Sequence, residues 1–151
     1  MAKFLYKMQN VLDVKLKMED QAKTVFGTAM AALLEEEAKL EALIRRKEEY
    51  EEEGRQLRSS VLNVMSLKEN TNAIDNLKDQ IVAQEQQVAL AEEAVERARQ
   101  KLQIAMQERK IQEKLKENAF EEFKQELNAA ESKEVDELVS YRFGRKAAEM
   151  D

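Results

Sequence analysis

Apolar residues recur along the first third of the chain at alternating intervals of three and four residues. This average period of 3.5 residues is typical of a coiled-coil seam, in which apolar side chains face a partner helix. Lys15, Glu19 and Glu36 are among the polar exceptions in this row. The pattern predicts one long helix over about residues 3–58. The apolar members of the row are Leu5, Met8, Leu12, Ala22, Phe26, Ala29, Leu33, Leu40, Leu43, Tyr50 and Leu57.

An uncharged segment interrupts this pattern at about residues 59–65, in a chain of which 37% is charged. A second apolar row with the same spacing begins at Leu67. Just before it, Ser66 and Glu69 fit the S-x-x-E capping box, in which each side chain accepts a hydrogen bond from a backbone amide of the first helical turn. We therefore predict a turn at about 59–65, a second helix over about 66–142, and a frayed C-terminus after it.

Two long seams joined by a short turn predict an all-α fold, a long antiparallel two-stranded coiled-coil hairpin that forms a single rod over residues 1–151. If the turn is centred near Leu62, large side chains face small ones across the seam, which keeps two helices at a constant spacing. The same register places a polar layer beside the turn. The predicted layers are Leu33 with Ala91, Phe26 with Ala98, Ala29 with Val95, Ala22 with Leu102, and Gly54 with Asn70.

The second helix is predicted to extend past its partner as a C-terminal overhang. In the predicted register Leu5 faces Ala119, so residues after about 119 have no partner within the chain. Such a helix exposes apolar surface that monomers normally hide. Self-association is one explanation of this surface, and a partner protein is the one we favour. The apolar residues concerned are Phe120, Phe123, Leu127, Val135, Leu138, Val139, Tyr141 and Phe143.

The composition agrees with long helices and excludes much of the usual chemistry of enzymes. The chain has no Pro and 3 Gly, so little in it breaks a helix. It has no Cys and no His, which excludes thiol nucleophiles, Ser-His-Asp triads and the common zinc sites. We therefore predict no catalytic residues, no metal site, no cofactor and no small-molecule substrate. The net charge of -6 argues against nucleic-acid binding.

No uncharged run approaches the roughly 20 residues that span a bilayer. The opening residues MAKFLYKMQN lack the apolar core of a signal peptide. We therefore expect a cytoplasmic protein. Near the other end, residues 142–146 form a small basic and aromatic cluster, RFGRK. It fits either a frayed terminus with a Gly stop or a docking tip for an acidic or hydrophobic partner.

Short motifs along the chain resemble one protein family. The opening Phe4 to Asp13 resembles the F-x-Y-x-L-Q-x-V-L-D start typical of the flagellar export protein FliJ family, with Met8 in place of Leu. Mid-chain resemblances are Leu43-Ile44 followed by Glu49-Tyr50, and Leu77 to Ile81. Near the end, Lys133 to Glu137 and Tyr141 to Gly144 resemble the closing motif of the family.

The resemblance implies a function that the spacing of apolar residues could not reveal. Members of this family are non-catalytic coiled coils of the bacterial flagellar type III export apparatus, similar to the central stalk of rotary ATPases. The end that carries both termini is thought to enter the ring of the hexameric flagellar export ATPase. The family also contacts the cytoplasmic part of the membrane export gate and binds flagellar export chaperones. It therefore implies a protein at the inner face of the cell membrane, at the flagellar base.

The resemblance also implies two sets of contact residues. Residues expected to contact the ATPase ring are Phe4, Tyr6, Gln9, Phe120, Phe123, Tyr141 and Arg142. Residues expected to contact the export gate are Leu43, Tyr50, Ala73 and Leu77, which match apolar positions of the family there. Arg46, Gln80 and Gln84 depart from the family because they are polar. Two alternatives remain open: the coiled-coil stalk of a virulence-type secretion system, and a generic coiled-coil chaperone or scaffold.

Overall fold

The computed structural model describes the backbone of residues 3–61 and 63–150, and the side chains of that part up to residue 147. It contains two helices, α1 (Gln9–Ser59) and α2 (Val64–Met150), and these described residues form no strand. The two helices pack against each other in antiparallel order. The predicted all-α coiled-coil hairpin is therefore confirmed.

The first helix begins later than predicted. Residues 3–6 have no regular secondary structure, and the first turn forms where the Gln9 amide donates to the Tyr6 carbonyl at 3.2 Å and the Leu12 amide donates to the Met8 carbonyl at 3.1 Å. No acidic residue occupies the first turn of α1 to stabilise its amides. The predicted start at residue 3 is wrong, and a non-helical N-terminal segment, residues 3–8, precedes the helix.

The second helix is capped by Asn63 and not by the predicted capping box. Asn63 Oδ1 accepts hydrogen bonds from the amides of Met65 at 3.1 Å and Ser66 at 3.3 Å. Asn is among the best N-cap residues because its short side chain reaches these amides. Ser66 lies inside the first turn, so its predicted role as the cap is wrong. Leu62, the predicted centre of the turn, lies outside the described residues.

The second helix also continues further than predicted. It runs through Gly144 to Met150, and no described glycine has the positive φ that a helix-terminating glycine adopts. The end at about residue 142 is therefore wrong. Gly144 is flanked by strong helix formers such as Arg145 and Lys146, and no Pro follows it.

Contacts between residues divide the chain into two compact units. We name residues 20–104 the turn unit, and residues 1–19 with 105–151 the terminal unit. Each is described on its own below, and the prediction of a single domain over residues 1–151 stays a prediction.

The seam of the turn unit is mostly apolar, with Leu77, Val95 and Ala98 buried in it. The predicted polar layer beside the turn is confirmed, because the Asn70 side chain lies against Gly54 and donates a hydrogen bond to the Tyr50 carbonyl at 2.8 Å. This layer supports the predicted register.

A second polar layer crosses the same seam. Gln84 Nε2 donates to the Glu36 carbonyl at 2.9 Å and to the Glu36 carboxylate at 2.5 Å. The bond from Gln84, followed by the nearby Lys39 ammonium, holds the pKa of the Glu36 carboxyl below its ordinary value. Both residues are polar exceptions in their rows. Gln84 lies about one helical turn along α2 from the position that the predicted register places opposite Glu36.

In the terminal unit, the seam contains more polar residues. Leu12 and Ala105 are buried in it, but so is Glu19, and Arg109 lies next to Glu19. Past Ala105 the apolar residues leave the seam, because Ile111 is 58% exposed. Polar side chains occupy seam positions along this stretch of α2.

The predicted overhang is present but begins later than expected. Leu127 is the last half-buried residue, and each described side chain from 128 to 147 is exposed. We name this segment, residues 128–147, the overhang. The N-terminal segment contacts α2 just before the overhang, where Phe4 packs on Phe120 and Phe123.

Candidate functional site

An aromatic cluster joins the N-terminal segment to α2 in the terminal unit. The Phe4 ring packs edge-on against the Phe120 ring, with 5.2 Å between centroids and 69° between planes. It also contacts the Phe123 ring at 5.4 Å and 48°. The Lys124 ammonium lies 5.6 Å from the Phe120 centroid, a cation–π contact that places a positive charge beside the cluster.

The expectation that Phe120 and Phe123 have no partner in the chain is wrong, because Phe4 packs on both. The expectation assumed a helix from residue 3. In the predicted register position 4 lies opposite position 120, and the Phe4 ring also contacts Phe123, about one turn further along α2. The cluster is nevertheless partly open, since Phe120 remains 42% exposed.

An open groove of about 580 Å³ lies between the N-terminal segment and α2. Phe4, Tyr6 and Phe123 contribute aromatic surface to it, and the rest of its lining consists of aliphatic, lysine and glutamate side chains. The Tyr6 hydroxyl is buried and has no hydrogen-bond partner among the described residues. An unsatisfied buried hydroxyl is costly, so it offers a polar contact to a group that enters the groove. The charged lining residues are Lys3, Lys7, Glu122 and Glu126.

A charged cluster lies in the seam of the same unit. Arg109 donates hydrogen bonds to the buried Glu19 carboxylate and, at 2.8 Å, to Glu113. These bonds, the one to Glu113 first, raise the pKa of the Arg109 guanidinium above its ordinary value, so it stays charged. Beside them, Lys15 forms an ion pair with Glu108 at 3.0 Å. This cluster fixes the position of α1 on α2 below the aromatic cluster.

The structure brings together some of the expected ring-contact residues and separates others. Phe4, Tyr6, Phe120 and Phe123 lie in one region of the terminal unit. Gln9 lies at the start of α1, where its side-chain amide donates to Asp13 at 2.9 Å. The remaining two, Tyr141 and Arg142, lie on the overhang, where Tyr141 is 67% exposed.

The expected gate-contact residues lie in the turn unit. Tyr50, Ala73 and Leu77 surround a shallow cavity of about 190 Å³, together with Arg46 and Gln80. Tyr50 and Ala73 are half-buried. Leu77 is buried in the seam, so it supports this surface from beneath and offers almost no side-chain area to a partner. The fourth residue of this set is the half-buried Leu43.

Sequence reasoning missed the charged seam of the terminal unit. Lys15 and Glu19 were counted only as exceptions in an apolar row, and Glu108 and Arg109 were not considered. The predicted register gave no signal for it, because it places Lys15 opposite Arg109 and Glu19 opposite Ala105, whereas the structure pairs Lys15 with Glu108 and Glu19 with Arg109. Opposite charges at facing seam positions are a recognised device for fixing the register of a coiled coil.

The described residues contain no cluster of Asp and Glu side chains that could hold a metal ion. Within that same part of the chain, neither helix is long and apolar enough to cross a membrane. The terminal unit presents an aromatic groove and an exposed helix.

The fold defines a class, the antiparallel coiled-coil hairpins. The family model described as Flagellar FliJ protein matches residues 4–148. The chain therefore belongs to the flagellar FliJ family and is a coiled-coil protein associated with flagellar export. Comparisons with curated proteins and with solved structures gave no match.

Proposed function

We propose that this protein is a non-catalytic stalk of the flagellar type III export apparatus, which docks into the ring of the hexameric export ATPase. Membership of the FliJ family supports the flagellar system over a virulence-type one or a generic scaffold. The observation that carries the docking proposal is the terminal unit, in which an aromatic groove and an exposed overhang occur together.

Docking would use two kinds of contact. The half-open rings of the cluster, Phe4, Phe120 and Phe123, are held in place by one another, so they bind a partner without losing much side-chain freedom. Tyr141 and Arg142 on the overhang supply an aromatic and a cationic side chain. Tyr and Arg are enriched among the residues that dominate binding energy at protein interfaces.

The stalk would act on the ATPase through unequal contacts. A single hairpin inside a ring of identical subunits cannot present the same surface to each of them. A subunit that contacts the aromatic groove is stabilised in a different state from one that contacts the overhang, because a bound surface favours the conformation that it binds best. The hairpin would thereby bias nucleotide turnover around the ring.

The proposal extends to the other partners of the family. The shallow cavity beside Tyr50 and Ala73 is the surface that would contact the cytoplasmic part of the export gate. Its rim residues Arg46 and Gln80 favour a partner with polar groups as well as an apolar side chain. Flagellar export chaperones are further expected partners. These contacts would hold the protein in the cytoplasm at the inner face of the membrane, at the flagellar base.

The decisive experiment measures ATP turnover by the purified flagellar export ATPase with increasing amounts of this protein. We expect stimulation by the wild-type chain and weaker binding by Arg142→Ala, with a loss of about 2 kcal/mol or roughly thirty-fold in affinity. Arg99→Ala is the matched control, because Arg99 is an exposed arginine of the turn unit paired only locally with Glu96.

Two results would contradict the proposal. One is unchanged ATP turnover when the wild-type chain is added. The other is equal loss for Arg142→Ala and Arg99→Ala, which would remove the overhang from the interface. ATP hydrolysis by the chain alone would show that it is an enzyme and not a stalk.

A further inference from the structure

The turn between α1 and α2 exposes apolar side chains to solvent. Val61 is 95% exposed, Val64 77% and Met65 66%. Within the part of the chain that the structure describes, Val61 is the most exposed of the large apolar side chains. We name these three residues the apolar tip. They differ from the residues proposed to contact the ATPase ring and the export gate, so the tip is a separate surface.

Positive charge surrounds the apolar tip in a chain that is acidic as a whole. Residues 54–68 contain three basic side chains and no acidic one, a net charge of +3, whereas the whole chain has a net charge of -6. Arg55 pairs with Glu52. Arg58, in the last turn of α1, and Lys68, four residues after the start of α2, are exposed and form no ion pair with any described residue. These two charges are therefore available to an anionic partner.

Polar groups at the turn already have hydrogen-bond partners within the chain. The Ser59 hydroxyl donates to the Gln56 carbonyl at 2.9 Å. The Asn63 side chain accepts hydrogen bonds from the amides of Met65 and Ser66. A polar group that leaves water without a partner is costly in a lipid environment. These internal bonds lower the cost of moving the turn out of water.

We propose that the apolar tip inserts into the surface of a membrane that contains anionic phospholipids. Such a surface presents hydrocarbon beneath negatively charged headgroups, so it matches both the apolar tip and the two free cations. Apolar side chains of surface-bound elements reach roughly 5–10 Å into the boundary between headgroups and acyl chains. Lys68 lies about 6 Å behind Val64 along the axis of α2, which places its ammonium at the depth of the phosphates.

Vesicle flotation of the full-length chain tests the proposal. One set of vesicles contains phosphatidylglycerol and phosphatidylcholine in equal amounts, and the other contains phosphatidylcholine alone. We expect binding to the mixed vesicles to be at least about ten-fold tighter, because only these attract Arg58 and Lys68. The assay contains neither the ATPase nor the export gate, so its outcome is separate from that of the proposed function.

The role of the apolar tip is tested by Val64→Asp. An acidic residue in the first turn of a helix interacts favourably with the helix dipole, and α2 has none there, so the melting temperature should stay equal to the wild type or rise. Binding to the mixed vesicles should weaken at least about ten-fold, because a carboxylate would enter the lipid surface. Val82→Asp is the matched control, since Val82 is also an exposed valine of α2 but lies away from the turn. It should bind within about two-fold of the wild type.

The role of the flanking charges is tested by the double variant Arg58→Gln, Lys68→Gln. It should weaken binding to the mixed vesicles at least about ten-fold, because both contacts with the headgroups are lost. The matched control is Arg97→Gln, Lys101→Gln, which removes two exposed cations elsewhere on α2 and leaves the same net charge. This control should bind within about three-fold of the wild type.

Three results would overturn the proposal. The first is a wild-type chain that binds neither kind of vesicle, even if Val64→Asp then weakens binding to the purified cytoplasmic part of the export gate, which would assign the tip to a protein partner. The second is equal vesicle binding by Val64→Asp and Val82→Asp. The third is an equal loss in the two charge variants, which would attribute binding to the net charge of the chain and not to the turn.

Discussion

Gly54 of α1 lies directly against the side chain of Asn70 of α2. A Cβ atom at position 54 would lie 2.5 Å from Asn70 Oδ1 and 3.3 Å from Asn70 Cγ. Asn70 cannot easily move aside, because it is buried and its Nδ2 donates to the Tyr50 carbonyl at 2.8 Å. This layer thus depends on the absence of a side chain at position 54.

We therefore expect Gly54→Ala to destabilise the hairpin. The change favours the helix by about 1 kcal/mol through propensity, but overpacking of a fixed layer typically costs about 1–3 kcal/mol. Thermal unfolding followed by circular dichroism should show a lower melting temperature. Gly27→Ala is the matched control, because nothing lies within 4 Å of a Cβ there and only the propensity gain remains.

The combination Gly54→Ala, Asn70→Ala removes the clash and should recover most of the lost stability. If Gly54→Ala and Gly27→Ala raise the melting temperature equally, the layer is looser than the structure shows. Failure of the double variant to recover would indicate that the Asn70 hydrogen bond contributes more than the steric contact.

Much of this fold could be predicted because the spacing of apolar residues in a coiled coil follows the geometry of its helices. The spacing of residues such as Leu12, Leu77 and Val95 predicted which face of each helix is buried. The charge-free segment near residue 60 predicted the turn, and its position predicted that Gly54 and Asn70 share a layer. Each of these inferences depends on helical periodicity alone, which is a local property of the chain.

The remaining features could not be predicted because they depend on competition between local structures. Ser66 fits a capping box, but Asn63 is an equally good cap and comes first in the chain. The N-terminal segment gives up helical hydrogen bonds, and Phe4 packs on Phe120 and Phe123. Neither outcome follows from spacing, since both require a comparison of free energies between two allowed conformations.

The aromatic cluster should anchor the N-terminal segment. Phe4→Ser removes one edge-on ring contact and one tilted contact, worth about 1 kcal/mol each. We expect faster trypsin cleavage after Lys3 and Lys7 and faster amide exchange in the first turn of α1, with little change in the global melting temperature. Phe143→Ser is the control, since Phe143 lies on the exposed overhang and should leave cleavage at these lysines unchanged.

Equal cleavage rates for wild type and Phe4→Ser would show that the segment is held by contacts other than these rings. A large fall in the global melting temperature would instead make the cluster part of the core, and docking at the cluster would then lose its physical basis.

The seam pair of Glu19 and Arg109 should behave differently from the neighbouring pair of Lys15 and Glu108. Arg109→Met leaves the buried Glu19 carboxylate without its main partner across the seam, which is strongly unfavourable. Glu108→Gln disrupts a pair that is more exposed and therefore contributes less. Denaturant unfolding should rank Arg109→Met as clearly the less stable variant.

A second measurement separates register from stability in this pair. The double variant Glu19→Leu, Arg109→Met should regain the stability lost by Arg109→Met, because apolar residues can replace a seam ion pair. If it does not, the Glu19–Arg109 pair adds to the free energy of unfolding as well as selecting the register.

The Glu36 carboxyl should make stability depend on pH in acid. Its pKa in the folded chain lies below the ordinary 4.5, first because Gln84 donates to it and second because Lys39 is near. A depressed folded pKa means that this stabilisation is complete above the unfolded pKa and is lost as the pH falls through the folded one. Glu36→Gln should therefore lower stability most above about pH 5, with a difference that shrinks toward about pH 3.

The cause of that shift can be tested directly. In Gln84→Met the main donor to the carboxylate is absent, so the pKa of Glu36 measured by NMR titration should rise toward its ordinary value. An unchanged pKa in this variant would assign the shift to Lys39. Gln84 would then act only as a hydrogen-bond donor to the backbone carbonyl of Glu36.

The register in the middle of the turn unit can be measured by crosslinking, because the chain contains no cysteine of its own. The polar layer of Gly54 with Asn70 follows the predicted register, in which Leu33 faces Ala91 across the seam, and both of these residues are half-buried. Leu33→Cys, Ala91→Cys should form a disulfide within one chain on mild oxidation, since a disulfide requires Cα atoms no more than about 7 Å apart.

The matched controls combine Leu33→Cys with a cysteine at Gln84 or Ala98, one heptad away on either side, which displaces the second thiol by about 10 Å along α2. Preferential crosslinking in either control would shift the register by seven residues. Disulfides that form only between chains would contradict the hairpin itself, because α1 would then pair with α2 of a different molecule.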